Sequence, residues 1–393
     1  MMGGFDFAAG PHIHFGAGRR AGLPDILRGF GTRVLLVTGA YSFDGSPMCR
    51  ALLEDLQQGF ELQRLRVDGE PSPSLVDEAV AGYRGFGADV VVAIGGGSTV
   101  DAAKAVAGLL PLGHSVLEYL EGVGRGRAYH GPATPFVALP TTAGTGGETS
   151  KNAVLSEPGE GGFKKSFRHE LLVARHIILD PELTLSCPPD ITAACGMDAL
   201  TQLLESYVST GANPMTDALA ASGMSMVRDG LLRAVRDGDD LEARSGMLYA
   251  SAMSGLTLAN AGLGSVHGLA SPLGAFFPIP HGVVCGTLVH EATRMNIACM
   301  QERESGNPAL LKYAEAGRIL LRNPDLDDEE ARRALLDLLE DWTDRLAMPR
   351  LSSYGISAAD IPRIVAGSRG NSMQTNPIHL EDGDLSELVK RRL

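Results

Sequence analysis

The sequence predicts an α/β amino-terminal domain over residues 1–188 followed by an all-helical domain over residues 189–393. Three observations carry that prediction. Short β-branched runs alternate with helical patterns through the first half, as in a parallel sheet covered by helices. Two polar, Gly-rich loops end neighbouring strands of that half. After Pro188-Pro189 the texture changes to long Ala/Leu/Met-rich helical patterns. A chain of 393 residues is long enough for two cores.

Taken in order, RVLLVTGAYS gives a buried strand over Val34–Thr38 that ends in a glycine turn. SPMCRALLEDLQQG and SPSLVDEAVAGYRGFG have apolar residues at helical spacing. ADVVVAIGGGS supplies a second strand over Val90–Ile94, and TPFVALPTTAG a third over Phe136–Leu139. ARHIILDPELT adds a late strand, Ile177–Leu179, ended by Asp-Pro. Asp190 stands where the N-cap of the first long helix is expected. The helices ITAACGMDALTQLLESYVS, NPMTDALAASGMSMVRDGLLRAV and LEARSGMLYASAMSGLTLAN follow. The charged NPDLDDEEARRALLDLLEDWTDRLA reads as a surface amphipathic helix.

Composition narrows the function classes. The hydrophobic fraction is 44% and the charged fraction 21%, which excludes wholesale disorder. The net charge is −13 with no Lys/Arg-rich run, a poor match to nucleic acid or an anionic membrane. No run reaches the apolar length of a bilayer span, and the amino terminus lacks a signal-peptide pattern. Cys49, Cys187, Cys195, Cys285 and Cys299 are odd in number and lack CxxC spacing. That pattern argues for reduced thiols and a cytoplasmic protein, and against a disulfide framework or a cysteine zinc site.

The chemistry-bearing residues fall into two groups. In VVVAIGGGSTVDAAK, Gly95, Gly96 and Gly97 end a strand, and Ser98 and Thr99 open a helix continued by Asp101 and Lys104. Glycines let a phosphate approach the backbone, and the helix N-terminus offers free N–H groups. LPTTAGTGGETS places Thr141, Thr142 and Thr145 among Gly144, Gly146 and Gly147 at the end of the next strand. A plain tight turn explains one such loop; two side by side suit a dinucleotide in a sheet crevice. In the helical half, Asp198 and Gln202 lie four apart and Glu205 three further on, so all share one helix face. A surface stripe or cap network explains them in isolation. His267 and His281 stand in the apolar, Gly/Pro-rich stretch GLGSVHGLASPLGAFFPIPHGVVCG. A lone histidine there is ordinarily a satisfied core residue, but two with a helical Asp can converge on one divalent cation.

Together, IGGGSTVDAAK, LPTTAGTGGETS, ILDPELT, CGMDALTQ and VHGLASPLGAFFPIPHG, in this order, resemble the iron-containing (group III) alcohol dehydrogenase family. The likeness runs from HFGAG near the start to SRGNSMQTNPI near the end. It implies a Rossmann-like NAD(P) domain and a helical metal domain, the dehydroquinate synthase-like architecture, with chemistry in the cleft between them. A homodimer and a small alcohol or aldehyde substrate are also implied. By resemblance, Gly95, Gly96, Gly97 and Ser98, with Asp101 nearby, match the pyrophosphate loop. Thr141, Thr142 and Thr145 match the nicotinamide-side loop, and Leu179 and Leu183 flank the adenosine. Asp198, His267 and His281 match three of four metal ligands, for Fe2+ foremost and Zn2+ as the alternative.

Two positions depart from the family pattern. Gln202 stands where a fourth ligand, a histidine, is usual, and an amide oxygen is the weaker donor. Ser271 replaces a histidine credited with proton relay, and a hydroxyl cannot store a proton near neutral pH. Ser271 and Lys165 are the candidate catalytic groups, with Phe163, Phe276 and Phe277 as candidate substrate lining. NAD-preferring relatives often carry an acid after the first strand; here Gly39 and Ser42 stand there, which favours NADP(H) over NAD(H). The expected chemistry is hydride transfer assisted by a Lewis-acid metal. The competing readings are a metal-independent reductase of the maleylacetate reductase type, a polyol or lyase relative, and a degenerate cofactor-binding protein.

Overall fold

The computed structural model describes residues 4–8, 10–159 and 161–393. The amino-terminal half runs β1 (His12–Phe15), α1 (Leu23–Arg28), β2 (Arg33–Gly39), α2 (Ser42–Gly45), α3 (Pro47–Gly59), β3 (Glu61–Val67), α4 (Pro73–Tyr83), β4 (Val90–Gly95), α5 (Gly97–Leu109) and β5 (Phe136–Pro140). It ends with β6 (Asn152–Glu157), β7 (Phe163–Arg168) and β8 (His176–Leu179). Six of these strands form one parallel sheet in the order β1-β8-β5-β4-β2-β3, and β6 and β7 form an antiparallel hairpin.

The expected strands are all present, and their neighbours explain their composition. β4 is buried along its whole length between β2 and β5, so it reads as an unbroken apolar run. Its side chains alternate between two cores: Val91 and Ala93 in one, Val90, Val92 and Ile94 in the other. The structure adds β1 and β3, which sequence patterning did not predict. Both are sheet edges with polar or exposed residues, HIHF and ELQRLRV, so neither carries the apolar run of an inner strand.

The second half is helical: α6 (Pro189–Val208), α7 (Pro214–Arg236), α8 (Leu241–Ala261), α9 (Ser265–Phe276), α10 (His281–Arg303), α11 (Ala309–Leu321), α12 (Asp328–Arg345), α13 (Ile361–Gly367), α14 (Asn371–Gln374) and α15 (Asp382–Arg391). Asp190 lies within the first turn of α6 and not at its N-cap, which is Pro188. Pro189 at N1 needs no N–H partner and starts the helix two residues early, and Asp190 still complements the helix dipole. In α12, Asp327 and Glu330 form a capping box, and the helix buries only one stripe, as an amphipathic surface helix should. Among the described residues no helix is long and apolar enough to cross a membrane.

Candidate metal centre and cofactor cleft

The strand order reverses between β2 and β4, which pair side by side in parallel with Thr38 opposite Ile94. Ligands of open α/β sheets bind at such a switch point, beyond the carboxyl ends of the strands. Gly39 ends β2 there, and Gly95, Gly96 and Gly97 pass from β4 into α5. No side chain caps α5, which leaves its first N–H groups, including that of Ser98, for an anion. A Cβ at Gly96 would lie 3.2 Å from Thr142 Oγ1, and one at Gly97 2.8 Å from Thr145 Cγ2. The missing side chains therefore let the first loop touch the second, and the two make one wall.

The second loop also docks onto the helical half. Gly144 packs against Cys195 of α6, where a Cβ would meet that side chain at 2.7 Å. Gly146 adopts φ +58° and donates its N–H to Ser251 Oγ of α8 at 3.3 Å. Beneath the loop, the Lys104 amine is buried and donates to the carbonyls of Gly147, Ser150 and Asn152. Burial pushes this amine down to about 8, and burial likewise pushes the Asp101 carboxyl up to about 7. Of the remaining cofactor candidates, Ser42 is exposed, and its Oγ lies 2.8 Å from where a Gly39 Cβ would be. Leu179 and Leu183 come to the end of β8, but their side chains are buried in the two apolar cores. Thr141 lies beside the first loop through its N–H, which donates to Gly95.

One turn of α8 further on lies the cluster of metal candidates. Asp198 Oδ1 faces His267 Nε2 at 3.3 Å and His281 Nε2 at 3.7 Å. Cys285 Sγ lies 3.6 Å from His267 Nε2 and 3.8 Å from His281 Nε2. One donor atom from each of these four residues lies within 4.8 Å of the others. Helix α6 supplies Asp198, the first turn of α9 supplies His267, and α10 supplies His281 and, one turn later, Cys285. The lack of CxxC spacing argues against a cysteine zinc site, yet i and i+4 on one helix bring Cys285 beside His281.

The residues around the cluster fix its geometry. Glu205 accepts from His267 Nδ1 at 2.7 Å and from the Val266 N–H at 2.7 Å. With a proton on Nδ1, the Nε2 of His267 faces the Asp198 carboxylate and the Cys285 thiol, a place for a second proton, the thiol's own S–H or a cation. Burial disfavours that proton, but Cys285, Asp198 and Glu205 raise the pKa of His267 well above the ordinary histidine value. Burial also opposes charge on Asp198, yet His281 and His267 hold its carboxyl down to about 2. Burial pushes His281 down to about 4 and the Cys285 thiol up to about 12.

Gln202, the fourth ligand candidate, is hydrogen-bonded at both ends of its amide. Its Nε2 donates to Asp198 Oδ1 at 3.1 Å, and its Oε1 accepts from Ser254 Oγ at 2.8 Å. A carboxylate has no proton to give, so the amide nitrogen must face Asp198 and the amide oxygen points away to α8.

Of the two candidate catalytic groups, Lys165 lies on the β6–β7 hairpin and Ser271 on α9 against it. Ser271 Oγ donates to the Lys164 carbonyl at 3.2 Å. In β7, Lys165 pairs opposite Leu155, while Lys164 pairs opposite Ser156. Alternation therefore puts the two lysines on opposite faces, and Lys164 is the one whose amine reaches Glu70 and whose charge acts on His281. Lys164, which sequence reasoning passed over, is thus the lysine on the side of the metal candidates. Its signal was the period of two in FKKSF. Phe163 begins β7 half-buried, and Phe276 and Phe277 lie under the Arg363 guanidinium at 5.3 and 4.9 Å.

Comparison with known proteins agrees with this architecture. Residues 10–181 match the family model for iron-containing alcohol dehydrogenase, and residues 192–393 match that for the C-terminal domain of the same family. The probable alcohol dehydrogenase EutG of Escherichia coli is 38% identical over 271 residues, which cover 69% of this chain and 65% of that protein. The chain thus spans a little under two thirds of that relative. The NAD-dependent methanol dehydrogenase of Bacillus methanolicus is 31% identical over 327 residues, 82% of each chain. Among solved structures, a 1,3-propanediol oxidoreductase superposes over 100% of both chains with a TM-score of 0.90 at 26% identity. With both halves matched in order around one cluster of metal donors, the chain belongs to the iron-containing alcohol dehydrogenase family.

Proposed function

We propose that the protein interconverts a small alcohol and its aldehyde with NADP(H), assisted by one divalent metal, in the cleft between its two halves. One observation carries the reading: a single stretch of α8 joins both sites. Ser251 holds the second cofactor loop and Ser254 holds Gln202 against Asp198. When bound, the metal supplies a Lewis acid and the nicotinamide a hydride donor or acceptor.

The chain's own residues supply the rest. Asp198, His267 and His281 are the metal-holding groups, and Glu205 keeps the His267 proton on Nδ1. Gly95, Gly96, Gly97 and Ser98 cradle the pyrophosphate at the start of α5, with Thr141, Thr142 and Thr145 along the other side. Lys164 sets a positive charge beside His281, in the same pair as Glu70. Ser271 passes a proton without storing it, so the proton of the alcohol leaves to solvent through a hydroxyl conduit. At the ribose end, Gly39 offers no acid, Ser42 is exposed, and the nearby Asp44 carboxylate is already paired with Arg64 and Arg66. This pairing, with Arg66 largely exposed, supports a 2′-phosphate and hence NADP(H).

Steady-state oxidation of NADPH and NADH with a panel of two- to four-carbon aldehydes tests the reading. Turnover with a preference for NADPH that Arg66→Ala weakens is the expected result. A preference for NADH overturns the cofactor assignment, and NADPH binding without turnover of any aldehyde overturns the reaction.

A further inference from the structure

The family pattern gives no role to a cysteine, and Gln202 leaves the cluster one donor short. The amide oxygen of Gln202 is taken by Ser254, and its nitrogen donates to Asp198. Cys285 Sγ instead points into the centre, fully buried and free of any disulfide. The distances fit a coordination polyhedron. A tetrahedral first-row cation with bonds of about 2.1 Å to nitrogen or oxygen and about 2.3 Å to sulfur sets its donors roughly 3.4 to 3.6 Å apart. Four of the six donor separations run from 3.3 to 3.8 Å, two of these involving sulfur at 3.6 and 3.8 Å, and all six lie within 4.8 Å.

We infer that Cys285 is a metal ligand of this protein, completing an Asp198–His267–His281–Cys285 site, and that Gln202 is a positioning residue that orients Asp198. The inference rests on the metal reading above and specifies its donor set. On binding, the Cys285 S–H bond breaks, its proton passes to solvent and a sulfur–metal bond forms, with no change of oxidation state. A cation makes this feasible for a thiol that burial alone keeps protonated. One carboxylate, two imidazoles and a thiolate suit borderline-soft cations such as Zn2+ or Co2+ and disfavour hard Mg2+.

The test is a Co2+ titration of the full chain after metal removal, followed by metal content and by absorption spectra. The expected result is one Co2+ per chain with visible d–d bands and a near-ultraviolet sulfur-to-cobalt charge-transfer band. Cys285→Ser should lose that band and bind Co2+ at least about tenfold more weakly. Gln202→Ala should keep the band while weakening binding by roughly 10–100-fold, the usual effect of losing an outer partner. Cys195→Ser, the control for another thiol on α6, should keep it too. The wild-type spectrum needs no variant, so the test stands even where Cys285→Ser does not fold. One Co2+ per chain with d–d bands but no charge-transfer band overturns the thiolate ligand and leaves the metal reading standing. Failure to bind one Co2+ per chain overturns both.

Discussion

Glu205 uses one carboxylate oxygen for His267 Nδ1 and the other for the Val266 N–H, so it sets both the ring orientation and the entry of α9. Outer partners of metal-ligating histidines matter nearly as much as the ligands themselves. Glu205→Gln should lower metal affinity by about 10–100-fold while leaving the helical signal intact, as read by titration with a competing chelator. At this scale the sequence was partly legible. Asp198, His267 and His281 were recognisable because their types and spacing recur as motifs. Cys285 was not, because a lone cysteine carries no spacing signal until its helix is docked. Lys164 and Lys165 were indistinguishable by type, and the register of β7 against β6 separates them.

The Asp101 carboxyl of α5 stands where burial raises it from an ordinary 3.8 to about 7. A folded pKa above the unfolded one means the native state favours the protonated form. Its stabilising contribution is complete below about pH 4 and is lost as pH rises through about 7. The difference in melting temperature between wild type and Asp101→Asn should therefore change between about pH 4 and pH 8 and level off beyond it. A constant difference contradicts the buried placement.

Elements meet at two glycines where the halves join. A Cβ at Gly255 of α8 would sit 2.0 Å from the Gly146 carbonyl oxygen and 2.2 Å from Thr149 Oγ1. Gly255→Ala must push the second cofactor loop off α8, which should cost about 1–3 kcal/mol of stability and raise the dissociation constant for the cofactor. Gly246→Ala on the same helix is the control. Its Cβ has no neighbour nearer than 3.7 Å, so the substitution should be neutral or stabilising by about 0.5–1 kcal/mol. Denaturant unfolding and cofactor titration read both outcomes. Inner strands such as β4 and the long helices were readable because burial imposes one period on them. The edge strands β1 and β3 were not, since an edge shares its surface with solvent and keeps polar residues such as those of ELQRLRV.

At the scale of the whole molecule, β1 pairs with β8 on one side and, among the described residues, with no strand on the other, and Ile13, Phe15 and the preceding Phe5 are exposed there. An open strand edge with exposed apolar side chains invites a second strand, in keeping with the homodimer that the family resemblance implies. Light scattering should give twice the chain mass for the wild type, and Ile13→Asp should shift it toward the single chain. The two-domain architecture was legible as a change of texture at Pro188-Pro189, but the joint between domains was not. It depends on Gly144, Gly146 and Gly255 letting backbones touch, contacts with no trace in hydrophobic periodicity.

The central claim is that the Asp198, His267 and His281 cluster holds the metal on which turnover depends. The most direct measurement is the rate of NADPH oxidation by an accepted aldehyde before chelation, after chelation, and after adding back one equivalent of Fe2+ or Zn2+. Loss of activity on chelation and its return at one equivalent per chain is the predicted result. Undiminished activity in protein shown to be metal-free contradicts it and assigns the cluster a structural role.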